Sequence, residues 1–552
     1  LATRPFGPAV SEGLHYGAHP GDTVTAHSIP AQVMHNAGRL ADDIALNDSG
    51  RDTSYRELAS EIEETGRALM AAGVEHGDRI SVWAPNSTRW IVAALAAQSV
   101  GAALVPINTR YKTLEAVHPL TRTSARMLIA AGGFMGVDPG RAIAEAEASS
   151  GQQIRLIDLG AADDDTTSWE TLLAGADAVD PEEWRARLDA VGPDDLSDIM
   201  FTSGSTGLPK GVRHRHGPTM RQTFNTTEEN GIREGDRLLI VNPFFHVFGY
   251  TGGWVPGLFA GGTVYPMAVF DVDEVLDAIE REQITYFPGP PTIFHSILTH
   301  PRLMETDVSS LRASLTGSAD VPVDLIQDML DELTFERVIQ AYGMTECGTA
   351  TNTIAADNAE TVATTVGKAS KDLEVRVVDP HNRPVVDGDD GEIVVRGYAV
   401  MDGYWDDPEA TAATIDEDGW LHTGDRGSRD DNGYFRILGR IKDMYIVGGF
   451  NVYPAEVENM IREHPGVDDV AVIGVPDQRL GEVGCAFVVP ATQLDEEQFV
   501  AWCRERMANF KVPRHVEILE VFPLTGSNKV SKVELRALAE QREIGWRDGG
   551  TA

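Results

Sequence analysis

At 552 residues, 42% of them apolar, the chain exceeds what one hydrophobic core normally holds, so two or more domains are expected. Against 46 basic side chains stand 85 acidic ones, a formal charge of −39, and only eight of the basic residues are lysine. Such a surface repels phosphate backbones and anionic lipid, which excludes nucleic acid and anionic membranes as partners; an acidic surface tolerated at high salt is one account of it.

Positions 1–22 carry no basic start followed by an apolar run, so no secretory signal is expected. Ser54-Tyr55-Arg56-Glu57 has the form of a capping box, and Leu58, Ile62, Leu69 and Met70 follow near helical spacing up to Gly73. Ile80 to Trp83 reads as a strand, Arg89 to Ser99 as a helix and Ala102 to Val105 as a further strand. The longest apolar stretch, Trp90 to Val105, is broken by Gln98, Ser99 and Gly101, which makes it core rather than a membrane span. Strands alternating with helices point to a mainly parallel sheet covered on both faces. Asp163 to Ala190 shows no apolar periodicity and reads as an acidic connector. Cys347, Cys485 and Cys503 are scattered without C-x-x-C spacing, so neither a disulfide framework nor a zinc site is expected, and a reducing cytoplasm fits.

Asp198-Ile199-Met200-Phe201 reads as a buried strand running into Thr202-Ser203-Gly204-Ser205-Thr206-Gly207-Leu208-Pro209-Lys210-Gly211. Glycines there let the backbone present N–H groups to an anion, and hydroxyls and an ammonium add donors, which suits a polyphosphate. The G-x-x-x-x-G-K-[ST] spacing of the common phosphate loop is absent. Downstream lie Asn242 to Tyr250, with His246 among aromatics; Gly289-Pro290-Pro291-Thr292 after a strand from Ile284 to Phe287; and Gly317-Ser318-Ala319 at another strand end. Ligands of open α/β sheets bind at such ends. Gln340-Ala341-Tyr342-Gly343-Met344-Thr345-Glu346 offers a flat phenol, a hydroxyl and a hard carboxylate oxygen of the kind Mg²⁺ prefers. Trp420 to Asp425, Gly439 to Asp443 and Phe522 to Val530 complete the series.

In this order, the motifs resemble those of the adenylate-forming superfamily: acyl-CoA synthetases, luciferases and peptide-synthetase adenylation domains. The resemblance spans Ser54 to Leu535. It implies a large N-terminal domain of mixed and parallel sheets flanked by helices (1–440) and a small mobile α+β lid (441–552) hinged at Lys442. It further implies an AMP-forming carboxylic acid:CoA ligase using ATP, Mg²⁺ and coenzyme A. Thr202, Ser203, Gly204, Ser205, Thr206, Gly207 and Lys210 would hold the phosphates, with Thr206 and Glu346 on the metal. Gly317, Ser318, Ala319, Gln340, Ala341, Tyr342, Gly343 and Met344 would line the adenine pocket, and Asp425 and Arg440 would take the ribose. Thr345 would meet the α-phosphate, His246 would gate the carboxylate pocket, and Lys529 would be the catalytic lysine. Gly448, Gly449 and Phe450 would line the pantetheine tunnel. One departure stands out: where the family has glycine before the lysine, this chain has Asn528, and asparagine tolerates positive φ better than other non-glycine residues.

The alternative reading is a standalone adenylation enzyme loading a separate acyl-carrier protein. For the acid, Asn242 to Tyr250, Phe287 to Thr292 and Gly474 to Gly484 look like the actinobacterial ligases that activate the indanedione propanoate left from steroid rings. Medium-chain fatty acids and aryl-propenoates stay open. Gly249, Gly252 and Gly253 would face the pocket and leave room for a bulky acid. The family's frequent homodimer is the expected assembly.

Overall fold

The computed structural model describes residues 26–161, 167–202, 208–317, 321–447, 450–492, 494–525 and 529–545. Its first sheet has six strands in the order Arg155–Asp158, Met127–Ala130, Arg79–Trp83, Ala103–Pro106, Leu196–Thr202, Lys210–Arg215. All neighbours run parallel except the last pair, an antiparallel hairpin. Helix Thr88–Ser99 connects two of the parallel strands, and every residue from Trp90 onward in it is buried. The capping box forms: Ser54 Oγ accepts the Glu57 N–H at 3.2 Å, and a Glu57 carboxylate oxygen accepts the Ser54 N–H at 2.7 Å. Helix Tyr55–Ala71 follows from it.

A second sheet runs Arg51–Ser54, Ile44–Asp48, Thr263–Pro266, Arg237–Ile240. Tyr286 bridges it singly to Ala313, the first residue of the neighbouring order Ala313–Gly317, Arg337–Met344, Gly348–Asn352, Lys368–Ala369. The expected strand Ile284 to Phe287 is therefore reduced to bridges at Tyr286. Prolines at 288, 290 and 291 lack the N–H groups that would extend the ladder. A third, antiparallel sheet comprises Leu373–Val378, Asp390–Gly397, Leu421–Arg429 and Phe435–Arg440.

The small C-terminal unit pairs Phe450–Val452, Tyr445–Val447, Gly481–Pro490 and Val467–Asp477, with His515–Ile518 parallel to Gly481–Pro490. Helices Pro454–Arg462, Glu496–Arg506 and Lys532–Gln541 complete the unit. Its hydrophobic cluster draws every member from between Tyr445 and Ile544, so this core is separate from those of the large unit. The three cysteines are each buried and unpaired.

The connector reading of Asp163 to Ala190 is corrected. Helices Trp169–Leu173 and Pro181–Ala190 occupy it, the second started by Asp180, whose carboxylate accepts the Glu182 N–H at 2.8 Å. Only Trp184 and Leu188 of that helix reach the interior, too short a stripe to register as periodicity. Trp184 is fully buried and donates its indole N–H to Ser99 Oγ at 3.0 Å. Among the described residues no helix is long and apolar enough to cross a membrane.

Candidate active site

The strands carry their motif residues to the region where the large and small units meet. Thr202 and Lys210 face each other across the antiparallel strand pair. Gly317 ends its strand opposite Ala341, with φ of 154°. A Cβ there would lie 2.4 Å from the Ala341 carbonyl oxygen, so only glycine permits this approach. Strand Arg337–Met344 then turns at 345–347 into Gly348–Asn352, and this turn carries Thr345 and Glu346, both buried.

At one end of this region, the Tyr342 hydroxyl donates to Asp425 Oδ2 at 2.6 Å, and Arg440 Nε donates to Asp425 Oδ1 at 2.8 Å. Asp425 and Arg440 are cross-strand partners, which is why the ion pair forms. Burial and then the Asp425 charge push the Tyr342 phenol far up, so it stays a donor. At the other end, the Tyr404 hydroxyl donates to Glu346 Oε1 at 2.8 Å, and the Lys210 ammonium lies 4.8 Å from the centre of the Tyr404 ring. The Met401 N–H donates to the Glu346 carbonyl at 2.8 Å. His214, from the strand of Lys210, reaches the Thr345 carbonyl at 2.8 Å.

Lys529 joins these groups. Part of its side chain reaches solvent, while crowding by protein atoms and then the Arg440 charge lower its pKa, opposed by Asp425. His246 also senses that ammonium. Burial first, and Lys529 second, hold its imidazole at about 4, so it is neutral at pH 7. Its Nδ1 accepts the Phe248 N–H at 3.1 Å, which leaves the ring proton on Nε2. Lys442 occupies the short turn Ile441–Asp443 at the seam, where partial burial and Arg440 lower its pKa. Next to it, Asp443 takes a 2.9 Å bond from Arg536.

The described residues thus bring together Thr202, Lys210, Gly317, Gln340, Ala341, Tyr342, Gly343, Met344, Thr345, Glu346, Asp425, Arg440 and Lys529, with His246 beside Lys529. Ser203, Gly204, Ser205, Thr206, Gly207, Ser318, Ala319, Gly448, Gly449 and Asn528 lie outside the described residues, as does the side chain of Phe450.

Two of the three pocket glycines do something else. From Val247 to Ala260 the chain is helical, with a π-turn at Tyr250–Trp254. A Cβ on Gly249 would come within 2.2 Å of the Pro243 carbonyl oxygen, and one on Gly253 within 3.2 Å of Ile240. These glycines let the helix press against residues 240–243 rather than widening a pocket. Gly252 faces the Phe248 ring, 3.1 Å from a built Cβ.

Sequence reasoning missed Tyr404, His214 and Asp198. Tyr404 sits 58 positions from the Glu346 it holds, and no local pattern connects them.

The donor set fits a nucleoside triphosphate. Two ammonium groups and a guanidinium share this region with the carboxylates of Asp425 and Glu346, matching phosphates on one side and ribose hydroxyls or a hard cation on the other. No group of three or more potential metal ligands exists among the described residues.

Comparison with known proteins agrees. Residues 33–405 match the AMP-binding enzyme family and residues 456–529 its C-terminal domain. A 3-[(3aS,4S,7aS)-7a-methyl-1,5-dioxo-octahydro-1H-inden-4-yl]propanoyl:CoA ligase of Mycobacterium tuberculosis is 46% identical, covering 93% of this chain and 99% of that one. A feruloyl-CoA synthase of an Amycolatopsis species is 40% identical, covering 89% and 95%. ATP-bound MatB from Rhodopseudomonas palustris superposes with a TM-score of 0.83 at 30% identity, covering 93% and 99%. With matching motifs, a matching fold and relatives alike over almost their whole length, the chain belongs to the AMP-binding enzymes, the adenylate-forming superfamily, among its acyl-CoA ligases.

Proposed function

We propose that this ligase activates a bulky, ring-bearing propanoic acid, first as the acyl-adenylate and then as the CoA thioester. A carboxylate is a poor acylating agent because its leaving group would be oxide. Attack of its oxygen on the α-phosphorus of ATP expels pyrophosphate and converts that oxygen into part of a good leaving group. The CoA sulfur then attacks the acyl carbon, the thiol proton is lost, and AMP departs. The substrate supplies the nucleophile, so the protein's task is positioning and charge stabilisation.

In this reading Lys529 bridges the acid carboxylate and the α-phosphate, and Thr345 donates to the same phosphate. Lys210 takes the outer phosphates. The Tyr342–Asp425–Arg440 chain orients the nucleoside end through ring and ribose. Glu346, with Thr206, would hold Mg²⁺, which when bound neutralises phosphate charge. Neutral His246, proton on Nε2, lines the entry of the acid. The small unit turns about Lys442 between the half-reactions, withdrawing Lys529 and bringing Gly448, Gly449 and Phe450 to the thiol's path. The boundary then falls at 440/441, and a homodimer is the assembly we expect.

One observation carries the mechanism: Asp425 accepts the Tyr342 hydroxyl at 2.6 Å and Arg440 Nε at 2.8 Å, and this large-unit pair acts on the ammonium of Lys529 from the small unit. The 46% likeness to the indenyl-propanoyl ligase, against 40% to the feruloyl enzyme, supports the acid class. The test is pyrophosphate release with ATP and Mg²⁺, with and without CoA, on the methyl-dioxo-octahydroindenyl propanoate, ferulate and octanoate. The bicyclic propanoate should turn over fastest and form AMP, accelerated by CoA. Preference for ferulate or octanoate would overturn the acid class. Adenylate formation indifferent to CoA would overturn the thioester step in favour of a carrier protein.

A further inference from the structure

We infer that His214 is a positioning residue for adenylation: a doubly protonated imidazolium that braces the phosphate-loop hairpin against the turn bearing Thr345 and Glu346. The inference rests on the adenylation reading above.

Its ground is the pattern of donors and acceptors. His214 and Asp198 face each other in register across the strands Lys210–Arg215 and Leu196–Thr202. Nδ1 of His214 lies 2.7 Å from Asp198 Oδ1, and Nε2 lies 2.8 Å from the carbonyl oxygen of Thr345. The second Asp198 oxygen accepts the Ser197 hydroxyl at 2.8 Å, so the carboxylate is an acceptor at both atoms. A carbonyl can only accept. Both imidazole nitrogens must therefore donate, and only the cation carries two N–H groups.

The surroundings support that charge. The Asp198 side chain is 1% exposed and that of His214 15%. Burial alone would lower the His214 pKa. The charge and hydrogen bond of Asp198, the Thr345 carbonyl and the charge of Glu346 outweigh it, and the net shift is upward.

The contact with Thr345 is more than a cross-strand ion pair requires. The Thr345 carbonyl belongs to the peptide that leads into Glu346, so a donor fixed on it sets the plane of that peptide. The same turn is also held, at Glu346, by Met401 and Tyr404. His214 alone of these groups stands on the strand that begins with Lys210, and thus fixes the separation between that strand and the Thr345–Glu346 turn. Misplacement by about 1 Å at such a site costs on the order of a hundredfold in rate.

Two conservative variants separate this role from simple support of the fold. His214→Asn keeps an amide donor for Asp198 but is too short for Thr345. His214→Gln places its amide nitrogen near the position of Nε2 and keeps the Thr345 bond. The assay is ATP–pyrophosphate exchange with the three acids above, beside thioester formation from pre-formed acyl-adenylate and CoA. We expect H214N to lose exchange by on the order of tenfold to a hundredfold, to keep the thioester step, and H214Q to recover most of the exchange. H214N exchanging at the wild-type rate would overturn the brace, as would both variants falling alike in both half-reactions. A wild-type chain silent on every acid would overturn the adenylation reading, and this role with it. NMR of isotope-labelled imidazole in the wild-type chain tests the same point where a variant fails to fold. Two protonated nitrogens at His214 are expected, and a single one refutes the cation.

Discussion

Replacing Tyr404 by phenylalanine removes one atom from the phosphate end of the site and leaves the ring beneath Lys210. The lost hydroxyl donates to Glu346 at 2.8 Å, and both residues are 7% exposed, so water does not replace the bond freely. A hydrogen bond to a charged acceptor is worth about 1.5–3 kcal/mol, which at 1.36 kcal/mol per decade is about 10- to 150-fold in rate. Tyr404→Leu also strips the ring from the Lys210 ammonium, 4.8 Å away. That contact is worth about 0.5–2 kcal/mol, a further factor of about 2 to 30. Initial rates of pyrophosphate release at graded Mg²⁺ concentrations read both effects. Y404F should slow release and need more Mg²⁺, because Glu346 is no longer held in one orientation, and Y404L should slow it further. A Y404F enzyme with wild-type rate and Mg²⁺ dependence would refute the idea that the phenol aims Glu346. Equal losses in the two variants would refute the ring's contribution.

Lys529→Ala should abolish adenylate formation while sparing thioester formation from supplied acyl-adenylate. An ammonium about 4 Å from a phosphate at an effective dielectric near 20 is worth about 4 kcal/mol, or about a thousandfold. Equal loss in both half-reactions would sink the assignment of Lys529 to the first step. Acid should weaken the large unit through His216, which is fully buried, accepts the Ile29 N–H at 3.3 Å and is lowered by burial from 6.5 to about 4. Below 6.5 the unfolded chain takes up a proton that the folded one refuses until about 4, so stability falls as pH falls through that window. The full effect is about 3 kcal/mol, and about 2 kcal/mol of it is lost by pH 5. Urea midpoints at pH 7 and 5 should drop less for His216→Gln than for the wild type; identical drops would refute the linkage.

Much of the site was written in local runs. Gln340 to Glu346 and Trp420 to Asp425 each occupy one strand end, so linear order already implied a shared location. The capping box at Ser54 closes within a single turn, and its two bonds were legible for the same reason. His214 was hidden because Arg213-His214-Arg215-His216 reads as a polar, exposed strand, while Asp198 sits in an apolar run. Only their register across the hairpin pairs them. The pocket glycines misled for a related physical reason: a missing side chain leaves room for backbone as readily as for ligand, and here carbonyl oxygens at 242 and 243 take it at Gly249.

The small unit keeps its apolar cluster entirely within itself, from Tyr445 to Ile544. At the seam stand polar contacts such as Arg426 with Tyr453. Seam bonds of this kind can be exchanged for water at little net cost, whereas exposing a core cannot. With the small unit turning as proposed above, the molecule has two nearly independent mutational ledgers. Substitutions inside the small core alter how long that unit survives and leave its pose alone. Substitutions along the seam alter how its poses are populated and leave its survival alone. Divergence within such a chain can retune the timing of its two chemical steps without spending stability, and gain stability without disturbing the timing.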